Sequence, residues 1–98
     1  MSHEEKKTKV YHAVPFRPWL SGDPRAMFPE DYQLVAEVDT NDVDEAYYLT
    51  NDVDTKWWIN ERVTAHVVPC RSTSVGDVLV LPDGRGLRVH SRGYRRLW

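Results

Sequence analysis

The stretch Tyr32–Asp54, "YQLVAEVDTNDVDEAYYLTNDVD", decides how this chain folds, because its hydrophobic period changes partway along. In its first eight residues Leu34, Ala36 and Val38 recur at every second position, which predicts a strand with these three side chains on one face. In the residues that follow, the apolar positions recur at helical spacing. The stretch therefore predicts a strand that leads almost directly into a helix.

The pentapeptide TNDVD occurs twice in this stretch, and its first copy has the composition of a helix N-terminus. The side-chain oxygen of Thr40 or Asn41 can accept a hydrogen bond from a free amide of the first turn. Asp42, Asp44 and Glu45 then place negative charge where the helix dipole favours it. We predict that the first copy starts the helix.

The second copy has the features of a helix end. Four side chains at helical spacing form the face that would pack on a sheet: Val43, Ala46, Tyr47 and Thr50. Asn51 then favours the left-handed conformation that ends many helices. We predict one main helix at about 41–51 and a short helical turn at about 54–60.

The same carboxylates suggest a calcium loop, but their spacing excludes it. An EF-hand loop needs oxygen ligands at positions 1, 3 and 5, a glycine at 6 and a glutamate at 12. Counted from Asp39, position 5 is Val43 and position 12 is Thr50, and no glycine lies between Asp23 and Gly76. The four histidines also lack the spacing of a zinc motif. We predict no metal site and no cofactor.

No motif for covalent catalysis is present. Cys70, or Ser72 or Ser74, would form a nucleophilic set only if the fold supplied a histidine and an acid. The local sequence "PCRSTSVGD" lacks the G-x-S-x-G turn of a nucleophile elbow. We therefore predict no catalytic residue and no enzymatic activity, while a clustering of histidines in one sheet is left open.

Length and composition are those of one small domain. The 98 residues, 41% of them apolar, predict a single domain over 1–98. No apolar run approaches the ~20 residues of a membrane span, and the polar start "MSHEEKKTK" predicts a disordered tail at 1–8 rather than a signal peptide. The single cysteine allows no internal disulfide, which favours the reducing cytoplasm. We expect a cytoplasmic protein without a membrane partner.

Prolines at four positions between 15 and 29 exclude a regular element, so residues 15–31 are predicted to be a proline-rich loop or arm. Because the arm carries Phe16, Trp19 and Leu20, it is expected to pack on the core or on a partner.

The sequence of the C-terminal third predicts a β-hairpin. "DVLVL" and "GLRVHS" flank "PDGR", whose proline, aspartate and glycine favour a turn. Their alternation predicts Val78, Val80, Leu87 and Val89 inward and the arginines outward. With the preceding elements this predicts an α+β fold, a small and mainly antiparallel sheet of about 4–6 strands with one main helix.

Charge is divided along the chain. From Glu30 to Glu61 ten acidic residues accompany one lysine, whereas the end of the chain is basic. An aromatic among the C-terminal arginines allows a nucleic-acid surface as an alternative function. Against it, the pI near 6.0 is low for such a domain, and a solvated strand face explains the same pattern. The residues of this alternative are Arg85, Arg88, Arg92, Tyr94, Arg95 and Arg96.

The segment "RSTSVGDV" has two interpretations. Its hydroxyl groups and Asp77 can hydrogen-bond to the backbone of a turn, and Gly76 can adopt backbone angles that a side chain would prevent. Alternatively, Arg71, Ser72 and Ser74 can bind an anion together with free amides.

The same segment resembles the C-terminal signature of the YodL-like family, small and mostly uncharacterised proteins of bacteria, phages and mobile elements. An ordered set of residues carries the resemblance: Arg71, Ser72, Ser74, Val75, Gly76, Asp77, Val78, Gly93 and Tyr94. Upstream, "LTNDVDTKWWINERV" is similar to the stretch that precedes the signature in phage-type relatives. The resemblance covers about residues 32–97. It implies a mobile-element accessory protein with no assigned reaction or cofactor.

These observations predict a non-enzymatic interaction protein of phage or mobile-element type that acts on a host protein, in a defence-related setting. Its protein partner and oligomeric state are left open. The expected contact residues lie in the proline-rich arm and around the helix: Phe16, Trp19, Leu20, Trp58, Asp42, Asp44 and Glu45.

Overall fold

The computed structural model describes residues 7–14 and 28–98. Six strands form one sheet: β1 (Lys7–Ala13), β2 (Tyr32–Asp39), β3 (Val63–Ala65), β4 (Val78–Val80), β5 (Gly86–His90) and β6 (Gly93–Arg96). A helix, α1 (Val43–Thr50), and a 3-10 helix (Trp57–Ile59) lie between β2 and β3 in the chain. The spatial order is β3-β2-β1-β4-β5-β6 and every neighbouring pair is antiparallel, which confirms the predicted α+β fold.

The predicted tail and arm lie largely outside the described residues. Lys7 and Thr8, which the tail was expected to include, belong to β1. Within the predicted arm, residues 28–31 form a turn that leads into β2, and the amide of Val14 donates to the carbonyl of Asp31 at 2.8 Å. Phe16, Trp19 and Leu20 are not among the described residues.

The main helix starts and ends differently from the detailed prediction. Its N-cap is Asp42, whose carboxylate accepts from the amides of Asp44 and Glu45, while the Thr40 hydroxyl accepts from the amide of Asp42 at 3.1 Å. Asn51 ends the helix at φ −100° and ψ 75°, which is not left-handed. The predicted second helical turn is a single 3-10 turn.

One face of the sheet forms the main core under α1. Val10, Val38, Leu79 and Val89 are nearly inaccessible there, and Ala46 packs on them from the helix. On β2 the register shifts so that Val10 pairs with Ala36 and Tyr11 with Leu34, and Val35 is the extra residue of a bulge. Because Val35 is buried in the same cluster, the predicted alternation of β2 is wrong at this point.

The opposite face carries a second, aromatic cluster. The ring of Phe28 lies 4.8 Å from that of Tyr11, 5.5 Å from Tyr32 and 4.8 Å from Trp98. We call these four residues the aromatic face. Trp98 lies so close to Gly86 that a Cβ there would come within 2.4 Å of its ring.

The predicted β4–β5 hairpin is confirmed, but its two strands do not divide into inward valines and outward arginines. Val78 pairs with Arg88, and Leu79 pairs with Leu87. Directly paired residues lie on the same face of a sheet. Arg88 therefore shares the aromatic face with Val78, while Leu87 lies on the α1 face.

Candidate functional site: a carboxylate clamp and an apolar helix side

Asp77 is the centre of a buried network in the segment Arg71–Asp77. Its side chain is 1% exposed, and both carboxylate oxygens accept a hydrogen bond from the Arg71 guanidinium at 2.7 Å. The amide of Ala13 donates to Oδ1 at 2.9 Å and the amide of Ser74 to Oδ2 at 2.8 Å. Four donors therefore compensate the burial of one carboxylate, and we call this arrangement the Asp77 clamp.

The remaining residues of this segment join it to its surroundings. The amide of Thr73 donates to the carbonyl of Thr50 at 2.9 Å, and the Ser72 hydroxyl donates to the same carbonyl at 3.4 Å. The amide of Gly76, at φ 99°, donates to the carbonyl of Val89 at 2.9 Å. The end of α1 and strand β5 are thus both hydrogen-bonded to the same loop.

This geometry favours one of the two interpretations of "RSTSVGDV". The planar fork of Arg71 already binds an anion from within the chain, the carboxylate of Asp77. An external anion would have to displace this buried carboxylate from the Arg71 guanidinium. For Arg71, Ser72, Ser74 and Asp77, the geometry therefore supports the turn interpretation over the anion site.

The fold also brings together a thiol and an imidazole. Sγ of Cys70 lies 3.6 Å from Nδ1 of His12, whose Nε2 lies 2.9 Å from the Thr73 hydroxyl and 3.8 Å from the Asp77 carboxylate. Burial lowers the pKa of His12 to about 4, against the opposing effect of Asp77, and burial raises the pKa of the Cys70 thiol. At neutral pH both groups are uncharged, and a protonated thiol is a poor nucleophile.

The predicted contact residues of the helix have partners within the chain. Asp42 caps α1, and Asp44 lies beside Tyr94, whose pKa is raised by burial and by hydrogen bonding to that carboxylate. Glu45 forms an ion pair with Arg62 at 2.8 Å, which lowers the pKa of Glu45 to about 2. Trp58 is half-buried, with its ring 5.9 Å from that of Trp57.

The sequence did not single out the apolar residues that the structure leaves exposed on the helix side. Tyr48 is 77% exposed on α1, Val53 is 85% exposed in the following loop, and Ile59 is 74% exposed at the end of the 3-10 helix. We call these three residues the helix-side apolar residues. The exposure of Tyr48 could have been predicted from the sequence. The packing positions of the helix recur at helical spacing, and the opposite side of an amphipathic helix faces solvent.

The predicted arginine surface does not form one patch. Arg88 and Arg95 are paired across β5 and β6 on the aromatic face, whereas Tyr94 and Arg96 lie on the α1 face. Arg85 is exposed and binds Asp83 at 2.7 Å in the β4–β5 turn. Arg92 lies in the turn between β5 and β6.

The chain matches no family model, no curated protein and no solved structure. Within residues 7–14 and 28–98, no three side chains of the metal-binding types are grouped to hold an ion. Nor does that part of the chain contain a helix long and apolar enough to cross a membrane.

Proposed function

We propose that this chain is a non-enzymatic interaction protein of phage or mobile-element type that acts on a host protein through the α1 side. The observation that carries the proposal is the exposure of Tyr48, Val53 and Ile59, between 74% and 85% each, within twelve residues of chain. Large apolar side chains grouped at a surface are typical of contact sites for another protein.

The charge of the same segment indicates the kind of surface it would meet. Between residues 41 and 61 six carboxylates accompany Lys56, a net charge of 1 − 6 = −5. Exposed apolar side chains on an acidic segment fit a host surface that is apolar and basic, because complementary charge raises the association rate and excludes like-charged partners.

The resemblance to YodL-like proteins supports the phage or mobile-element setting, and the single cysteine supports a cytoplasmic location. The neutral Cys70–His12 pair supports a role without covalent catalysis, since neither group is charged at neutral pH.

The test uses the tagged full chain to capture proteins from a bacterial lysate, with quantitative mass spectrometry. A variant with Tyr48→Ser, Val53→Ser and Ile59→Ser removes the apolar surface without touching the clamp. The matched control is Val68→Ser, which removes an apolar side chain that is 61% exposed elsewhere. Circular dichroism and urea titration establish that both variants are folded.

We expect at least one host protein to be captured by the wild type and by Val68→Ser and to fall at least tenfold in the triple variant. Its capture should also weaken with added salt, because the segment 41–61 is acidic. A captured protein that the triple variant retains would contradict the proposed surface, and the absence of any captured protein would contradict the proposed function.

A further inference from the structure

Strand β6 forms one edge of the sheet. In the spatial order β3-β2-β1-β4-β5-β6 it has β5 as its neighbour on one side and, within residues 7–14 and 28–98, no strand on the other. An edge strand presents a row of backbone amides and carbonyls to which a further strand can bind. At the opposite edge, β3 has only three residues and the 3-10 helix packs against it. We therefore take β6 as the open edge.

The hydrogen bonds of β5 show which backbone groups of β6 face the open side. The amide of Val89 donates to the carbonyl of Asp77, and the carbonyl of Val89 accepts from the amide of Gly76. The backbone of Val89 is therefore bonded on its β4 side. Because hydrogen-bonded and non-hydrogen-bonded pairs alternate along an antiparallel ladder, the pair of Val89 with Tyr94 is of the second kind. The amide and carbonyl of Tyr94 point away from β5.

The same alternation orients the other residues of β6. The amide of Leu97 donates to the carbonyl of Gly86 at 2.7 Å, which makes these two residues a hydrogen-bonded pair. Arg96 then faces outward like Tyr94, while Arg95 directs its amide and carbonyl to β5. The open edge thus offers two amides and two carbonyls, those of Tyr94 and Arg96, to an added strand.

The last residue of the chain does not extend along this edge. The ring of Trp98 lies 4.8 Å from that of Phe28 on the aromatic face, and its indole donates to the carbonyl of Gly84 at 2.7 Å. Trp98 therefore folds back over the face of the sheet rather than along β6.

The side chains at the open edge are basic. Arg92, Arg95 and Arg96 are exposed, and Arg95 forms no ion pair within residues 7–14 and 28–98. Pairing of two β6 strands would bring the arginines of two copies side by side, where like charges repel. Charged side chains on an edge strand are a common protection against such pairing. An acidic strand is attracted by the same arginines, so charge favours an acidic occupant over a second copy.

The two faces beside β6 differ in the side chains they would accept. Arg95 projects from the aromatic face, whereas Tyr94 projects from the α1 face. There Tyr94 lies beside Asp44, and its ring is 6.3 Å from that of Tyr47. A carboxylate next to Tyr94 would be repelled by Asp44, while an apolar side chain would pack on the ring. Since side chains alternate along a strand, the fitting sequence alternates carboxylate and apolar residues.

We propose that the open edge of β6 binds an extended acidic segment of a partner protein by strand addition. The backbone groups of Tyr94 and Arg96 form hydrogen bonds with the segment, and Arg95 pairs with its carboxylates. In this mode the main chain supplies affinity and the alternating side chains supply specificity. The site goes beyond the proposed function and uses none of the helix-side apolar residues, so either can fail without the other.

The experiment uses the isotope-labelled full chain and a synthetic peptide, Glu-Val-Glu-Val-Glu-Val-Glu with blocked ends, at ~50 mM salt, where charges are weakly screened. Titration followed by nuclear magnetic resonance gives Kd, and hydrogen exchange of the assigned amides gives the mode of binding. Arg95→Gln is compared with Lys9→Gln. Lys9 is the matched control, because it is exposed on the aromatic face three strands away from β6 and loses the same charge.

We expect Arg95→Gln to raise Kd about threefold, as for the loss of one opposite-charge pair between neighbouring strands, and Lys9→Gln to leave it within experimental error. In the wild type, saturating peptide should slow the exchange of the Tyr94 and Arg96 amides at least tenfold. The Arg95 amide is already bonded to β5 and serves as the internal reference. A peptide with lysine in place of glutamate should not bind.

Several outcomes would overturn the proposal. Binding that leaves the Tyr94 and Arg96 amides unprotected would mean charge attraction without strand addition, and equal weakening by the two variants would mean attraction to the net charge alone. Equal binding of the lysine peptide would exclude an acidic occupant. Protection of the same amides at high protein concentration without peptide would assign the edge to a second copy, and absence of binding would exclude the site. The exchange measurement uses the wild-type chain, and urea titration establishes that both variants are folded.

Discussion

At the scale of single residues, Asp77 has the largest energetic consequences. Its carboxylate is nearly inaccessible and depends on Arg71 and on two amides to replace water. The Asp77 clamp also joins distant parts of the chain. The amide of Ala13 lies at the end of β1, whereas Arg71 and Asp77 lie in a loop more than fifty residues later.

We expect Asp77→Asn to lower the free energy of unfolding by about 3 kcal/mol or more, because it leaves Arg71 without the carboxylate of a buried pair. The measurement is urea denaturation followed by circular dichroism. Asp83→Asn is the control, since Asp83 pairs with Arg85 at the surface and should cost less than about 1 kcal/mol. Similar losses in the two variants would contradict the role given to the clamp.

His12 makes the stability of the fold dependent on pH. Its pKa is about 4 in the folded chain and ordinarily 6.5, with Asp77, Arg71 and Cys70 as the titratable or charged neighbours. Between these two pH values the unfolded chain binds more protons, so the free energy of unfolding decreases as the pH falls through this window. Above pH 6.5 the imidazole is neutral in both states and contributes no pH dependence.

We therefore expect the wild type to lose about 2 kcal/mol more stability between pH 7 and pH 4.5 than His12→Gln does. The measurement is a urea titration of both proteins at the two pH values, and the carboxylates common to both cancel in the comparison. An equal loss in the two proteins would show that His12 titrates normally in the folded state.

At the scale of elements, the two TNDVD copies use their third residue alike. Asp42 accepts from the amides of Asp44 at 2.9 Å and Glu45 at 3.4 Å. Asp52 accepts from those of Asp54 at 2.9 Å and Thr55 at 3.2 Å. Only the first copy is followed by an α-helix, so the same local cap organises a helix in one place and a turn in the other.

We expect Asp42→Ala to cost about 1 kcal/mol and to reduce the helical signal in far-ultraviolet circular dichroism, because two amides of the first turn lose their acceptor. Asp52→Ala is the matched variant and should leave the helical signal unchanged, since its acceptor serves a turn. A loss of helical signal with Asp52→Ala alone would contradict this assignment of the two caps.

Sequence patterns predicted the elements that are determined by interactions between residues close together in the chain. The change of period at Asp39 and the acidic first turn were enough to predict β2 and α1, and the Pro-Asp-Gly turn was enough for the β4–β5 hairpin. The bulge at Val35 was not predictable in this way, because a bulge is a property of two paired strands.

The candidate sites were predictable only in part, for the same reason. "RSTSVGDV" was recognised as a special segment, but the choice between an anion site and a turn depended on the tertiary contact of Arg71 with Asp77. The Cys70–His12 contact joins residues 58 positions apart, and no spacing rule connects them. Burial of Asp77 likewise depends on the tertiary fold.

At the scale of the whole molecule, the two sides of one sheet carry different side chains. The segment 41–61, which contains α1, carries six carboxylates together with the exposed Tyr48, Val53 and Ile59. The other side carries Arg88, Arg95 and the aromatic face. A sheet covered by a core on one side and an aromatic cluster on the other lets a small chain present two chemically different surfaces.

The same architecture makes β1 the connection between the two parts of the sheet. It pairs with β2 on one side and with β4 on the other, although β4 begins 65 residues after the end of β1, 78 − 13 = 65. The Asp77 clamp and the His12–Thr73 contact hold the same strand to the loop before β4. Without β1, the unit of β4, β5 and β6 has no contact with β2 in the sheet order.

We therefore expect the sheet to unfold as one cooperative unit. The amides of Val10 and Tyr11 should exchange hydrogen only through global unfolding, with the free energy measured by urea, because their strand has a partner on each side. Tryptophan fluorescence and far-ultraviolet circular dichroism should give the same urea midpoint. Val10→Ala, which truncates a side chain with 0% exposure, should lower both midpoints together, whereas Val53→Ala should move neither. If the amides of β5 instead stayed protected after those of β1 had exchanged, the β4–β5–β6 unit would be stable by itself, and β1 would not be what makes the two halves of the sheet one structure.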